Sequence, residues 1–304
     1  MEFSFRPPNA DYLGFRATKE GILETSLLAE SLGFDTLFLN DHIIVKGPDE
    51  MVASWGNTFD PLVTLGYLAA RTERIRLGTS VLIMPYRQAV TSAKMIATLD
   101  QLSDGRMTVG VGAGWVEAEF DALGVSYDDR GPRTDEYLRV WQACWAPDPV
   151  SFKGEYVNFE AMRCSPKPIQ QPPPIWIGGS SRPALRRAAA FAAVWQPVPT
   201  PLPKLIECQA YLNEACEAIG RKTPPTTRMS FRVNFSSITG KSPLGTDGTR
   251  LIGHGDPDDV AADMQQIVDA STVDSFQVNF NGCNSLDELI RSATLFAEQV
   301  KPKL

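Results

Sequence analysis

The sequence predicts an α/β protein, a (β/α)8 TIM barrel that takes up residues 1–304 as one domain. Eight short apolar runs alternate with amphipathic stretches, and eight strand–helix units over about 300 residues are typical of this barrel. A doubly wound sheet would show the same alternation. However, its dinucleotide fingerprint is missing, because no GxGxxG follows the first strand and the stretch GVGAGW lacks the third glycine at the required spacing.

The clearest repeat unit spans residues 74–114. Residues 75–83 form an apolar, β-branched run that is too continuous for a half-exposed strand, so they suit a strand buried on both faces of a parallel sheet. A helix is predicted over residues 87–102 because its apolar residues recur at helical spacing and Gly105 follows its end. Residues 107–111 form a second buried run. Two parallel strands joined by a helix are one right-handed crossover unit, which the rest of the chain repeats.

The other elements follow in chain order from the same signals. Leucines at helical spacing before Gly33 indicate the first helix, and the pairs Asp60-Pro61 and Asp256-Pro257 are typical helix starts. The predicted strands are residues 2–5, 35–39, 75–83, 107–111, 175–177, 193–196, 228–235 and 275–280. The predicted helices begin near residues 18, 60, 87, 134, 183, 202, 256 and 286.

Four connections depart from the simple repeat. Residues 40–58 and 115–130 are predicted to be long loops. Residues 150–159 are predicted to form a small hairpin before the fifth barrel strand, with its turn at Lys153-Gly154. Residues 236–254 are predicted to be an irregular, glycine-rich insertion after the seventh strand. The long loops and this insertion would build the substrate pocket.

Composition excludes several classes of protein. The net charge of −7 and the isoelectric point near 5.0 argue against binding to nucleic acid or to an anionic membrane surface. Five cysteines without CxxC or zinc-site spacing fit a reducing compartment. The start of the sequence lacks the basic and apolar segments of a signal peptide, and no apolar run approaches the length of a membrane span. We therefore expect a cytoplasmic protein.

The carboxyl ends of the predicted strands define the candidate site, since active sites of (β/α)8 barrels lie there. These ends hold no metal-ligand cluster, no paired carboxylates and no marked triad, because Ser180 and Ser181 have only His42 as a possible base. Small residues and aromatics predominate, which indicates a site that binds a flat cofactor and leaves the difficult chemistry to it. The residues at these ends are Asp41, His42, Ser80, Val81, Ile83, Gly112, Ala113, Gly114, Trp115, Gly178, Gly179, Ser180, Ser181, Trp195, Gln196, Asn234 and Asn279.

Several of these segments together resemble the luciferase-like monooxygenase superfamily. They are SLGFDTLFLNDH, RIRLGTSVLIMPYRQAV, ATLDQLSDGRMTVGVGAGW and PIWIGGSSRPALRRAA, and they are most similar to the branch that uses the deazaflavin coenzyme F420. The resemblance implies a homodimer of barrels with the cofactor ring in the barrel mouth. It also implies hydride transfer between the deazaflavin and a small organic substrate such as a carbonyl, an imine or an activated alkene. A reduced-FMN monooxygenase and a non-catalytic flavin-binding barrel are the alternatives.

The resemblance also assigns roles to residues. It implies a cis peptide at Ser80-Val81, against the back of the ring. It also implies that Asp41-His42 is the family's acidic-His pair, which contacts the cofactor with His42 beside the ring's reactive edge. His42 is the candidate catalytic residue, as hydrogen-bond partner or proton carrier. The alternatives are an ordinary trans strand end, a helix-capping aspartate and a structural histidine.

Two glycine-rich turns would hold the rest of the cofactor. Gly178, Gly179, Ser180 and Ser181 open a helix and would bind the cofactor phosphate, whereas Gly112, Ala113 and Gly114 would lie along the cofactor tail. Either turn is equally explained as a tight strand–helix connection.

At two tryptophans, the sequence departs from the pattern of the family that it resembles. Trp115 stands where sugar-phosphate dehydrogenases of this branch carry a catalytic acid, and Trp195 follows Ala193-Val194 where relatives commonly have Asp-Gly. Each tryptophan either walls an apolar substrate pocket or belongs to the core.

Overall fold

The computed structural model describes residues 1–11 and 14–304. In this described part, eight parallel strands close into a (β/α)8 barrel, because the first strand pairs with both the second and the last. The strands are β1 (Glu2–Phe5), β2 (Thr36–Leu39), β3 (Arg76–Ile83), β4 (Met107–Gly112), β5 (Val150–Lys153), β6 (Asn158–Met162), β7 (Ile175–Gly178), β8 (Val194–Gln196), β9 (Thr226–Phe235), β10 (His254–Gly255) and β11 (Val273–Phe280). The barrel order is β1-β2-β3-β4-β7-β8-β9-β11, so the predicted fold class is confirmed.

Helices surround the barrel between successive strands. They are α1 (Lys19–Ser31), α2 (Asp49–Trp55), α3 (Pro61–Ala69), α4 (Ala89–Leu102), α5 (Glu117–Leu123), α6 (Arg130–Trp145), α7 (Arg182–Phe191), α8 (Leu202–Ala218), α9 (Ser236–Thr239), α10 (Pro257–Ala270) and α11 (Leu286–Leu295). The predicted caps form as expected. The Asp60 side chain accepts a hydrogen bond from the Val63 N–H, and Asp256 makes a full capping box with Asp259.

The core consists of two sets of side chains. One set packs between the helices and the strands, and the other fills the interior of the barrel. In the outer layer, α6 packs on α4, where the indole N–H of Trp141 donates to Ser92 Oγ (2.9 Å) and that of Trp145 donates to the Ala93 carbonyl (3.0 Å). At the amino-terminal end of the barrel, Arg228 is 2% exposed and stacks over Trp176, with its guanidinium carbon 4.0 Å from the ring centroid. The opposite end stays open, and most of the residues predicted for the site lie there.

The two predicted loops each contain a short helix. Residues 40–58 include α2, which buries none of its side chains, and residues 115–130 include α5, which buries only Glu119 and Phe120. Neither helix shows an apolar periodicity, and in α5 an acidic residue occupies a buried position. The sequence therefore lacked the signal that normally reveals a helix.

Both predicted insertions are present. β5 and β6 pair in an antiparallel hairpin, but Lys153 faces Asn158, so the turn covers residues 154–157 and not Lys153-Gly154. The insertion after β9 is irregular apart from α9 and the short β10, which pairs with the end of β9. Among the described residues, we find no helix that combines the length and the apolar character needed to cross a bilayer.

Candidate functional site

A cavity of about 1340 Å³ opens at the carboxyl ends of the barrel strands. Residues at or just after the ends of all eight barrel strands, and in the loops that follow them, contribute to its wall. Most of the residues predicted for the site line this cavity, namely Asp41, His42, Ser80, Val81, Ile83, Gly112, Ala113, Gly114, Gly178, Gly179 and Ser181. The topology therefore brings together residues that lie far apart in the sequence.

Ser180, Trp195 and Asn234 are exceptions, because none of them lines the cavity. Ser180 Oγ lies 3.5 Å from Thr200 Oγ1. Trp195 is fully buried, and its indole N–H donates to the Gly179 carbonyl at 2.8 Å. Trp195 thus belongs to the core and holds the glycine turn from behind, so the expectation that it contacts a cofactor or walls a pocket is corrected.

Val81 forms the floor of the cavity with two glycines below it. A Cβ atom at Gly112 would lie 2.8 Å from Val81 Cγ2, and one at Gly178 would lie 2.9 Å from Val81 Cγ1. Both distances are too short for real carbon contacts, so only glycine allows Val81 its position. The Ser80-Val81 peptide bond is cis, as the resemblance implied.

The turn after β7 leads directly into the amino terminus of α7. Gly179 has φ +113°, in the region that favours glycine, and its N–H donates to the Gln196 carbonyl (3.0 Å). Ser181 caps α7 by accepting from the Ala184 N–H. The free N–H groups and positive dipole end of this helix favour a bound anion.

The arginines of α7 are engaged in side-chain contacts. Arg187 is buried, pairs with Asp135 and donates to the Gly131 carbonyl at 3.1 Å. Arg186 donates to the Tyr211 hydroxyl at 3.1 Å. The positive charge of Arg187 is thus neutralised locally, while that of Arg186 remains beside the turn.

His42 is held by a buried carboxylate that the sequence did not reveal. Its Nδ1 lies 2.9 Å from Oε2 of Glu119, which comes from α5 and is fully buried. The other Glu119 oxygen accepts from the N–H groups of Ile43 (2.9 Å) and Ile44 (3.3 Å). The loop that follows β2 is therefore fixed on α5, and the His42 ring has one defined orientation.

The protonation of this pair follows from the contacts of Glu119. Burial alone would raise the pKa of Glu119, but the hydrogen bonds from His42, the Ile43 N–H and the Tyr86 hydroxyl lower it below its ordinary value. Glu119 is therefore a carboxylate at neutral pH and can only accept. His42 must carry its proton on Nδ1, which leaves Nε2 as the nitrogen able to accept or deliver a proton.

Tyr86 completes the environment of Glu119. Its hydroxyl donates to Glu119 Oε2 at 2.9 Å. Burial, and then the negative charge of Glu119, raise the pKa of Tyr86 above its ordinary value, so the phenol stays protonated as a donor.

Asp41 neither caps a helix nor offers its carboxylate to the cavity. Its side chain is 0% exposed and accepts two hydrogen bonds from Arg87 (2.7 and 2.9 Å) and one from the Ile83 N–H (2.8 Å). Burial would lower the pKa of Arg87, but the hydrogen bonds to Asp41 and Asp60 raise it above its ordinary value. Asp41 therefore ties the end of β2 to the end of β3 and positions His42 and Val81.

Two tryptophans flank His42. The centroids of the His42 and Trp55 rings are 5.1 Å apart, and those of His42 and Trp115 are 6.5 Å apart. Both tryptophans line the cavity, and Trp115 is 63% exposed. The aromatic wall next to His42 therefore consists of Trp55 and Trp115. Both lie in segments that the sequence predicts to be loops.

A polar cluster lies on the other side of Val81. Ser80 Oγ donates to Gln277 Oε1 (2.8 Å), and the Gln196 amide donates to Ser80 Oγ (2.9 Å). Within the described part of the chain, Gln196 Oε1 and Asn279 Oδ1 are buried and have no hydrogen-bond partner. Such atoms are expected where a ligand or a bound water supplies the missing partner.

The structure is a (β/α)8 barrel with a cavity at the carboxyl ends of its strands, where enzymes of this fold have their active sites. Residues 5–239 match the family model of the luciferase-like monooxygenases. The match covers well over half of the chain, so the chain belongs to the luciferase-like monooxygenase family.

Named relatives use two different cofactors. Over 138 residues the chain is 38% identical to an FMNH2-dependent dimethylsulfone monooxygenase of Pseudomonas putida, covering 44% of this chain and 38% of that protein. Over 188 residues it is 33% identical to an F420-dependent glucose-6-phosphate dehydrogenase of Microbacterium testaceum, covering 59% of this chain and 54% of that protein. The matched segments span about half of the length of such relatives, or less.

A solved structure confirms the fold over its full length. The monooxygenase RslO1 from Streptomyces bottropensis superposes with a TM-score of 0.83 at 23% identity, over 99% of both chains. At 23% identity, the similarity to this structure shows a shared fold and nothing further. The family thus consists of oxidoreductases and monooxygenases, with both deazaflavin-dependent and FMNH2-dependent relatives of this chain.

Proposed function

We propose that this protein is an oxidoreductase dependent on coenzyme F420, which transfers a hydride between the deazaflavin and a small organic substrate. The observation that carries this proposal is the position of His42. It lies in the same cavity as the Val81 floor and the α7 turn, and Glu119 fixes its proton on Nδ1. The F420-dependent relative supports the choice of cofactor. The homodimer and the cytoplasmic location stay predictions.

The residues of the cavity fit a flat cofactor with a phosphate. Gly112 and Gly178 leave no room for side chains beneath Val81, so a planar ring would rest on a smooth floor. The N–H groups of the turn at Gly179 and Ser181 would hold the phosphate at the start of α7, and Arg186 adds positive charge. The buried, unpartnered oxygen of Gln196 would accept from a donor on the ring. A bound deazaflavin would supply the hydride.

The chain's own residues would position the substrate and manage its proton. His42 Nε2 has no hydrogen-bond partner among the described residues, and it is the nitrogen left free by the contact with Glu119. When the ring is protonated on both nitrogens, Nε2 would give its proton to a carbonyl oxygen or imine nitrogen as that atom gains charge; when the ring is protonated on Nδ1 alone, Nε2 would take a proton in the reverse direction. Trp55 and Trp115 would shield this exchange from water and contact an apolar part of the substrate.

A reduced-FMN monooxygenase is the second candidate. The observation in its favour is the higher identity of the dimethylsulfone monooxygenase, 38% against 33%, although over a shorter segment. A non-catalytic flavin or deazaflavin binder is the third. The buried Glu119 speaks for catalysis, because a binding site does not need a carboxylate to fix the proton of one histidine.

An oxygen-dependence assay tests the proposal. The holoenzyme is mixed with reduced F420 and a panel of carbonyls, imines and activated alkenes under nitrogen, and deazaflavin oxidation is followed by its absorbance. We expect oxidation with at least one substrate in the absence of oxygen. Turnover only with reduced FMN and oxygen would assign the protein to the monooxygenases, and tight F420 binding without turnover of any compound would favour the non-catalytic binder.

A further inference from the structure

Two cations on one side of the cavity are not accounted for by the proposed function. Arg232 lies on β9 and Lys241 lies in the insertion that follows it, and both line the cavity with exposed side chains. A Cβ atom at Gly282 would lie 3.2 Å from Lys241 Cδ, so this side chain reaches the loop after β11. In the barrel order, β9 is two strands and β11 is three strands away from β7, where the phosphate turn begins. The two cations are therefore remote from the turn assigned to the cofactor phosphate.

Neither cation is neutralised by the described part of the chain. The guanidinium group of Arg232 and the ammonium group of Lys241 make no salt bridge or hydrogen bond to any described residue, whereas Arg187 of the same cavity pairs with Asp135. Their charge is felt by neighbouring groups. Burial first, and then the positive charges of Arg232 and Arg250, lower the pKa of His254. Two uncompensated positive charges at one side of a cavity create a local positive potential in a protein of net charge −7.

The surrounding side chains are neutral and polar. Arg232 and Asn279 face each other in the β9–β11 register, and Ser230 faces Gln277 one pair earlier on the same side. Asn279 donates to Ser230 Oγ at 2.9 Å, and Asn281 and Asn284 also line the cavity beyond β11. Carboxamide and guanidinium N–H groups together with an ammonium group form the donor set that recognises carboxylate, sulfonate and phosphate groups.

We infer that Arg232 and Lys241 form an oxyanion subsite, which binds a carboxylate, sulfonate or phosphate group of the substrate. The inference rests on the proposed function only in assigning the α7 turn to the cofactor, which leaves the β9–β11 side to the substrate. The substrate class becomes a small carbonyl, imine or activated alkene that carries an oxyanion away from its reacting atom. The positive charges would also attract such a substrate into the cavity from solution.

The test compares two probes of nearly identical shape. Naphthalene-2-sulfonate carries an oxyanion, and naphthalene-2-sulfonamide is its neutral analogue. Each is titrated by calorimetry into the wild-type protein, with and without saturating F420, at low ionic strength. We expect the sulfonate to bind about tenfold more tightly than the sulfonamide, and this preference to fall as salt is added.

Charge-removing variants assign the preference to the two cations. Arg232→Gln and Lys241→Gln are each expected to weaken sulfonate binding about three- to tenfold and to leave the sulfonamide affinity unchanged. Both positions are exposed, so folding should be unaffected, which a thermal unfolding curve checks. Arg291→Gln on the exposed face of α11 is the matched control and should bind both probes as the wild type does.

Two results would overturn the inference. One is equal affinity of the wild-type protein for both probes. The other is a loss of F420 affinity in Arg232→Gln or Lys241→Gln with sulfonate binding intact, which would assign the cations to the cofactor. Failure of the proposed function is a separate observation, because F420 would then not bind to the wild-type protein while the sulfonate preference persisted.

Discussion

Replacing His42 with alanine is expected to lower turnover by about 10²- to 10⁴-fold, with F420 affinity changed by less than about threefold. The reason is that His42 is the only described histidine lining the cavity, and its Nε2 is the free nitrogen of a ring fixed by Glu119. Removing the ring removes the proton donor and leaves the Val81 floor and the α7 turn intact. The measurement is steady-state turnover with the substrate found under nitrogen, together with an F420 titration of the variant.

His254→Ala is the matched control. His254 lies at the start of β10, does not line the cavity and contacts Asn234 at 3.4 Å. Its removal should leave turnover within about threefold of the wild-type value. Unchanged turnover in His42→Ala would show that the histidine is structural, which is the alternative that the sequence left open.

Replacing Glu119 with glutamine is expected to lower turnover by about 100-fold and to reduce the free energy of unfolding by about 1–3 kcal/mol. The carboxylate accepts four hydrogen bonds in a fully buried position. A glutamine of the same shape has one acceptor oxygen and one amide that donates, so some of these donors lose their partner. An amide that donates to His42 Nδ1 would also move the histidine proton to Nε2.

Acid unfolding provides a second measurement of the same group. The pKa of Glu119 is lower in the folded protein than in the unfolded chain, so its carboxylate contributes stability above about pH 4.5, the ordinary glutamate pKa. This contribution is lost as the pH falls through the folded pKa. The free energy of unfolding of Glu119→Gln should therefore depend less on pH below about 5 than that of the wild-type protein.

Glu117→Gln is the control for both measurements, because Glu117 lies on the same helix with an exposed side chain. It should match the wild type in turnover and in acid unfolding. Glu119 acts through His42, so its loss should lower kcat and change the pH profile of kcat while KM stays nearly constant. Wild-type turnover in Glu119→Gln would contradict the role assigned to the contact between Glu119 and His42.

The sequence was sufficient to predict the barrel because its strands are buried on both faces and read as continuous apolar runs. The eight strands and the hairpin before β7 were predicted close to their observed bounds. The helices α2 and α5 were missed because they bury almost nothing or bury an acid. The apolar periodicity of a segment indicates which of its side chains are buried. It gives no signal for a helix that buries no side chain or buries an acidic one.

The site was predictable to the extent that it is formed by strand ends. His42, Val81, Gly112 and Gly178 were expected at the barrel mouth because parallel strands end at one rim. Glu119 could not be found in the same way, since it is 77 positions from His42 and lies on a helix that the sequence did not indicate. Trp195 was assigned to the site by its position at the end of a strand, but its side chain lies in the core.

The choice of cofactor is the central claim, and a fluorescence titration of the apoprotein with F420 and with FMN tests it most directly. We expect a dissociation constant for F420 in about the micromolar range and FMN affinity at least about tenfold weaker. Gly178→Ala should weaken F420 binding about tenfold or more, because the added methyl group meets Val81 at 2.9 Å and displaces the floor.

Gly66→Ala on α3 is the control for that variant, since its added methyl group would lie at an ordinary 3.5 Å from Leu99. It should bind F420 as the wild type does. Micromolar F420 binding that Gly178→Ala weakens and Gly66→Ala does not is the result that we predict. A preference for FMN, or F420 binding unaffected by Gly178→Ala, would contradict the account.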